Sequence, residues 1–263
     1  METIPANIIQ PVAKIKHADR FIEVVSESPD GDWYRGTMIR AGDRGAFQSW
    51  KHTRIARGHA VYASVCSFAR ADPASPALCH RLVLDFDDDG DPDHARRQAW
   101  RLLQSLGKRW GFDWHEAGVV FSGKKGVHVY LPPAMFGSAA DGLRIDEWRA
   151  IVRRLGHDAG VTPDLAIYTR RAVIRLPGSA HHATRRRAIA FEAAELADLT
   201  WADLVHRSEG TLEHESCTPP AGSFSPEAAA WMDHARRELG AENKALTAKR
   251  RLAGSREPGW QTP

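Results

Sequence analysis

The sequence predicts a mixed α/β (α+β) fold, and three observations predict it. A strand-like run from Arg81 to Phe86 ends among aspartates and gives way to a helical stripe. That stripe is Ala95, Ala99, Leu102, Leu103, Leu106 and Trp110, all on one face between His94 and Gly111. Val119 to Leu131 reads strand, short glycine turn, strand. A second stripe, Trp148, Ile151, Val152 and Leu155 within Asp146 to Leu155, precedes two more strand-like runs, Ala172 to Leu176 and Ala188 to Phe191.

The remaining elements fall around this frame. Residues 20 to 65 alternate short strand-like runs with turns such as Ser28-Pro29-Asp30-Gly31, and end in a strand at Val61 to Val65. Ala71 to Pro76 reads as a loop. Thr200 caps a helix through Val205. Pro219 to Ser225 is linker-like. Ser225-Pro226-Glu227 then opens a helix, with Ser at the cap and Pro in the first turn. Its stripe is Ala228, Trp231, Met232, Ala235 and Leu239. Beyond Ala241 the chain is polar and basic, the composition of a fraying tail. The expected division is 1–218 as the main domain and 219–263 as a C-terminal helix with a flexible tail. No internal repeat or low-complexity tract occurs.

Composition narrows the class. At 263 residues and 43% apolar content, the chain can bury a sizeable core. No apolar run approaches the ~20 residues that a membrane helix needs, and Met1 to Pro5 lacks a basic-then-apolar signal pattern. Cys66, Cys79 and Cys217 are far apart in sequence. They form neither a disulfide framework nor a CxxC zinc ribbon. A reducing cytoplasm is the expected compartment.

The chemistry concentrates in three segments. In the first, Asp85, Asp87, Asp88, Asp89, Asp91 and Asp93 crowd together after the strand. Side chains alternate faces along a strand, so Leu84 and Phe86 point one way and Asp85 and Asp87 the other. Two carboxylates on one face repel unless a cation lies between them. A hard divalent ion such as Mg²⁺ or Mn²⁺ suits an all-oxygen pair. The other four aspartates read as a solvated loop. A calcium loop starting at Asp85 fails, because its twelfth position, which needs a bidentate Glu, is Arg96.

The second segment is Ser122-Gly123-Lys124-Lys125-Gly126-Val127-His128. Its glycines permit close backbone approach to an anion, Ser122 adds a hydroxyl, and the lysines add charge. His128 alternates with Val127 and Val129, which turns it away from the apolar face; alone, the segment would be a plain hairpin with a basic turn. It is not a P-loop, because no GxxxxGK[ST] occurs. In the third segment, residues 165 to 191 hold Arg170, Arg171, Arg175, Arg185, Arg186 and Arg187 with no Asp or Glu. The whole chain carries only +3, so this positive charge is local and suits a phosphate-bearing partner. A buried Arg175 needs an anion, and the alternative to a phosphate is a structural carboxylate such as Glu192.

Taken in order, these segments resemble the archaeo-eukaryotic primase superfamily. The matching motifs are Asp85-Phe86-Asp87, Ser122 through His128, Asp164, and Arg175-Leu176-Pro177-Gly178-Ser179-Ala180-His181-His182-Ala183-Thr184. The resemblance spans roughly residues 55 to 195 and departs at Ala183 and Arg185. It implies a primase catalytic core, with a palm like an RNA-recognition motif packed on an N-terminal α/β unit. It implies Asp85, Asp87 and Asp164 as ligands of two Mg²⁺ or Mn²⁺ ions and as the catalytic carboxylates. It implies that Ser122, Gly123, Lys124, Lys125, Gly126, His128, Arg175, Ser179 and His181 meet the triphosphate of an NTP or dNTP. The activity implied is template-directed nucleotidyl transfer on single-stranded DNA, with a place for a helicase or other replication protein as partner. The polymerase domain of end-joining ligases is a sister branch whose third region lacks the Arg-Leu-Pro-Gly-Ser-x-His stretch. A non-catalytic single-stranded nucleic-acid-binding replication factor is the alternative of another class.

Of nine tryptophans, several sit on helix stripes and read as core. Trp50 differs. It lies beside Lys51, near Arg54 and Arg57, and with Arg170, Arg171, Arg185 and Arg186 is the expected nucleic-acid surface.

Overall fold

The computed structural model describes residues 17–79, 82–140, 142–210 and 222–254. Cys217, the start of the expected linker at Pro219 and the last residues of the expected tail lie outside them. The fold is mixed α+β and holds two antiparallel sheets. The first contains β1 (Phe21–Glu27), β2 (Trp33–Arg40), β3 (Ala60–Phe68), β4 (Ala77–Cys79) and β8 (Val173–Arg175). Its order is β2-β1-β3, and the far side of β3 is shared. Cys66 to Phe68 pair with β4, and Tyr62 to Ser64 pair with β8. The second sheet runs β5 (Leu82–Asp87), β7 (Gly126–Leu131), β6 (Gly118–Phe121), β9 (Ile189–Phe191).

The helix stripes read from sequence are the buried faces. Helix α2 (Pro92–Trp110) buries Ala95, Ala99, Leu102, Leu103, Leu106 and Trp110 against β5 and β7. Asp91 caps its start by accepting from His94 N at 3.0 Å. Gly111 ends it at φ +64, a conformation that costs glycine nothing. Helix α3 (Ile145–Ala159) buries Trp148, Ile151, Val152 and Leu155. Trp148 donates its indole N–H to the Cys79 carbonyl at 3.0 Å, which fastens α3 to the first sheet. Helix α4 (Trp201–Glu209) starts at the Thr200 cap. Helix α5 (Pro226–Gly254) starts at Ser225, whose Oγ accepts from Ala228 N at 3.2 Å. One large apolar core runs through both sheets and these helices, and a small second cluster of Val25, Ala60 and Tyr62 lies on the first sheet. No helix of the described residues is long and apolar enough to cross a membrane.

Four features depart from the sequence reading. Helix α1 (Arg44–Ala56) stands where only strands and turns are expected. It buries no residue, so it has no apolar stripe to detect; its one local signal is the Asp43 cap on Ala46 N at 2.9 Å. Ala71 to Pro76 is the expected loop, and the short strand β4 that follows it falls on residues to which the sequence reading assigned no element. Helix α5 runs on to Gly254, past the expected fraying point at Ala241, through residues rich in the helix formers Ala, Lys, Leu and Arg. Cys66 and Cys79, distant in sequence, are cross-strand partners with sulfurs 3.6 Å apart, both buried and both free thiols.

Candidate active site

The alternation on β5 builds the site. Leu84 and Phe86 pair with Val129 and Val127 and enter the core, while Asp85 and Asp87 face the other way. Opposite Asp85 stands His128, and opposite Asp87 stands Gly126. The glycine matters, because a Cβ there would lie 1.8 Å from Asp87 Oδ1 and 3.0 Å from the Phe86 carbonyl. Only a residue without a side chain leaves room for that carboxylate.

Asp164 reaches the same place from far along the chain. Helix α3 ends at Gly160, and Gly156 lets Pro163 pack against the helix; a Cβ on Gly156 would lie 2.7 Å from Pro163 Cδ. Thr162 N then donates to Gln98 Oε1 of α2 at 2.6 Å, and Tyr168 donates its hydroxyl to the Val83 carbonyl. Between these ties, Asp164 N donates to the Asp85 carbonyl at 2.7 Å and forms a one-residue β-bridge. The three carboxylates thereby feel one another. Burial first, then Asp87 and Asp164, push the Asp85 carboxyl well above its ordinary range. Burial also raises Asp87, partly offset by Lys125.

The remaining aspartates of the cluster have local tasks. Asp88 accepts from Gly90 N and Asp91 N and holds His94 at 2.9 Å. Asp91 caps α2, and Asp93 pairs with Arg96 and Arg97. Asp89 takes Lys125 Nζ at 3.0 Å.

The basic side of the site comes from two loops locked together. Ser122 N donates to the Gly126 carbonyl at 2.9 Å, and Gly126 N returns to Ser122 Oγ at 3.0 Å. Gly123, at φ +83, presses against the backbone of Arg186; a Cβ would lie 2.8 Å from its carbonyl oxygen. Thr184 donates to the Gly123 carbonyl at 2.7 Å and seals the contact. Both lysines line the cleft, although sequence left open which one points inward; Lys125 Nζ also lies 3.4 Å from Asp87 Oδ2.

The resulting cleft holds about 180 Å³ and brings together Asp85, Asp87, Ser122, Lys124, Lys125, His128, Arg175 and His181. Ser179 lies behind it, fully buried, donating to the Leu176 carbonyl at 2.9 Å. Trp50, Lys51, Arg170, Arg171, Arg185 and Arg186 lie outside its lining. Arg170 bonds the Pro73 and Ser75 carbonyls, and Arg186 pairs with Glu209 at 3.2 Å. Arg171 stands 3.9 Å from Glu23, and Arg185 is exposed at a left-handed φ of 60°.

Three buried polar atoms at this cleft lack a hydrogen-bond partner among the described residues: Asp85 Oδ1, His128 Nδ1 and Arg175 Nη1. His128 Nε2 lies 3.4 Å from Asp85 Oδ1, beyond good hydrogen-bond geometry. Such orphans are rare in folded proteins and mark places where a ligand completes the bonding. Burial and the Arg175 charge push His128 down to about 4. Arg175 forms no ion pair with Glu192 or any other described carboxylate. Its Nη2 donates to Tyr62 OH at 2.8 Å, and that hydroxyl donates to Glu27 Oε2 at 2.7 Å. Glu27 also holds His182 Nδ1 at 2.9 Å, and His182 stacks on His181 at 5.3 Å. Sequence reasoning assigned no role to Glu27, Tyr62 or His182; Glu27 lies between Ser26 and Ser28 at the end of β1 and gives no local signal.

Asp85 and Asp87 line the cleft and Asp164 stands near them, so these are the carboxylates from which a divalent-cation site would be built. Their donor set is all oxygen, and Asp85 Oδ1 is buried and unbonded, which fits a hard ion. Among the described residues, no three His, Cys, Asp or Glu side chains are placed to hold a metal ion together, and Asp164 does not line the cleft.

No protein-family model matches this chain, and no curated protein matches it. Among solved structures, primase RepB′ aligns with a TM-score of 0.50 at 15% identity, covering 94% of this chain and 68% of that one. The catalytic domain of primase RepB′ in complex with initiator DNA aligns at 0.48 and 14% identity, covering 88% and 94%. The polymerase domain of Mycobacterium tuberculosis Ligase D in complex with DNA aligns at 0.41 and 14%, covering 74% and 82%. At such identity the first match speaks to the fold alone, and the fold is similar to that of a primase.

Gly126→Ala should destabilise the protein by about 1–3 kcal/mol and turn Asp87 out of the cleft. Denaturant unfolding and a crystal structure check this; a wild-type midpoint with Asp87 in place would count against the close-approach argument. His181 should titrate at about 4 in the ligand-free protein, below the ordinary 6.5, because burial and then Arg175 disfavour its charged form. Its share of stability is therefore intact above pH 6.5 and lost as pH falls through 4. Proton NMR of the imidazole reads this directly, and a midpoint near 6.5 would show a solvated ring.

Proposed function

We propose that this protein is a template-directed nucleotidyltransferase of the primase-polymerase type, making or extending primers on single-stranded DNA from NTPs or dNTPs. One observation carries the reading. Two inward carboxylates, Asp85 and Asp87, share a single cleft with Lys124, Lys125 and Arg175. The chemistry of phosphoryl transfer needs both signs of charge at close range. Acidic groups serve the cation side, and fixed basic groups take up charge on the phosphates. The similarity to a primase fold supports the reading without specifying the reaction.

Asp85, Asp87 and Asp164 would hold two Mg²⁺ or Mn²⁺ ions, which when bound supply Lewis-acid stabilisation of the attacking 3′-oxygen and the departing pyrophosphate. The chain's own residues do the rest. Arg175, fastened through Nη2, keeps Nη1 unbonded for a phosphate oxygen. Lys124 and Lys125 add positive charge at the loop. His181 Nδ1 accepts from Ala183 N at 3.1 Å, so the neutral ring carries its proton on Nε2 and can donate it to an oxyanion. Uncompensated burial of Asp85 is costly for a protein that only binds nucleic acid, which favours the catalytic reading over the non-catalytic one.

Labelled NTPs or dNTPs on single-stranded DNA, with and without a primer, test the proposal. Asp87→Asn should lower incorporation about 100-fold or more while leaving the fold intact. A folded variant with near wild-type incorporation would sink the assignment. Arg175→Ala should raise the apparent KM for nucleotide about 10-fold or more and leave DNA affinity nearly unchanged. Equal loss of nucleotide and DNA binding would count against a dedicated triphosphate role.

A further inference from the structure

The described residues leave three large apolar side chains exposed, and one of them, Trp33, packs on Tyr62 of the cleft lining. Trp33 opens β2, the edge strand of the first sheet, and remains 50% exposed. The register fixes which way it points. Trp33 pairs with Glu27 across β2 and β1, Val25 lies on the same face of β1 as Glu27, and Val25 pairs with Tyr62 of β3. Tyr62 in turn pairs with Arg175 of β8. Trp33, Glu27, Tyr62 and Arg175 therefore occupy one face of the sheet, and Tyr62 and Arg175 line the cleft. Tyr34, the other exposed aromatic of this strand, faces the opposite way, against His59 and Arg54.

The rings form a continuous path. The Arg175 guanidinium carbon lies 5.1 Å from the Tyr62 centroid, and the Trp33 centroid lies 4.9 Å beyond at an interplanar angle of 31°. Tyr62 is held rigidly, donating to Glu27 and accepting from Arg175. The unbonded Arg175 Nη1 marks an anion end, and the half-open indole marks an aromatic end. A polyphosphate alone fills only the first. A polyphosphate joined to a flat ring fills both.

We infer that Trp33 is the nucleobase shelf of this cleft: it stacks on the base of the same nucleoside triphosphate whose phosphates meet Arg175 and the loop lysines. This rests on the nucleotide reading above. Because every base presents a π-face, the shelf accepts all four bases with similar affinity. An unpaired template base is the competing occupant. Trp33 shares the sheet face of Arg175 and adjoins the ring that fixes it, so the geometry favours the nucleotide.

Calorimetric titration of the full chain, Trp33→Ala and Trp33→Phe with ATP and with inorganic tripolyphosphate tests the inference, alongside fluorescence anisotropy with single-stranded oligothymidine. Trp33→Ala should weaken ATP about ten-fold and leave tripolyphosphate within about two-fold, while Trp33→Phe keeps most of the ATP affinity. Unchanged tripolyphosphate binding also certifies that the variant is folded. Unchanged ATP affinity would overturn the inference, as would equal loss for ATP and tripolyphosphate. Loss confined to the oligonucleotide would assign Trp33 to the template and overturn it too. If the wild-type protein binds neither ATP nor tripolyphosphate, the nucleotide reading itself falls, a result distinct from a wild-type protein that binds both and a Trp33→Ala variant that does not discriminate.

Discussion

The burial of Asp85 is the constraint around which the rest of the structure is arranged. Its carboxylate is nearly inaccessible, one oxygen has no hydrogen-bond partner among the described residues, and two more carboxylates stand close by. Left uncompensated, such a group opposes folding, because burial and like charges both disfavour its ionised form. The protein holds it there by strength elsewhere. Strand β5 is paired along its whole length with β7, and α2 packs six apolar side chains behind it. A core of that size can carry an unfavourable site, a common trade between stability and activity.

Compensating charge comes close to the acidic face without neutralising it fully. Lys125 reaches Asp87 and Asp89 from the glycine loop, yet Asp85 stays raised. Arg175 is buried on the neighbouring sheet and anchored by Tyr62 and Glu27, not by the acidic trio. Holding the arginine from behind keeps its free nitrogen available and keeps it from collapsing onto the aspartates. Asp85, Asp87 and the loop lysines of the second sheet therefore face a common volume with Arg175 of the first.

The loops that bear these groups are fixed by backbone, which makes the site rigid before any ligand arrives. Gly123 packs on the Arg186 backbone, Thr184 bonds the Gly123 carbonyl, and His181 N donates to the Arg186 carbonyl at 2.7 Å. Preorganised dipoles of this kind cost little reorganisation when charge develops near them.

Local pattern was enough to read much of this from the amino acids. Strand alternation placed Asp85 and Asp87 together, helical periodicity found the buried stripes of α2 and α3, and cap chemistry marked Thr200 and Ser225. These signals are carried by neighbours a few residues apart. Helix α1 escaped because it buries nothing, so no period exists to detect. Asp164 was placed beside the pair only by motif resemblance; its N–H bond to Asp85 depends on how α3 ends and turns back. The pairing of Cys66 with Cys79, the Glu27–Tyr62–Arg175 chain and the position of Trp33 all follow from sheet register. By itself the sequence determined which residues share a strand face or a helix stripe, since backbone geometry sets those periods. Only the tertiary structure decided which faces meet, because register between distant strands is set by packing of the whole core.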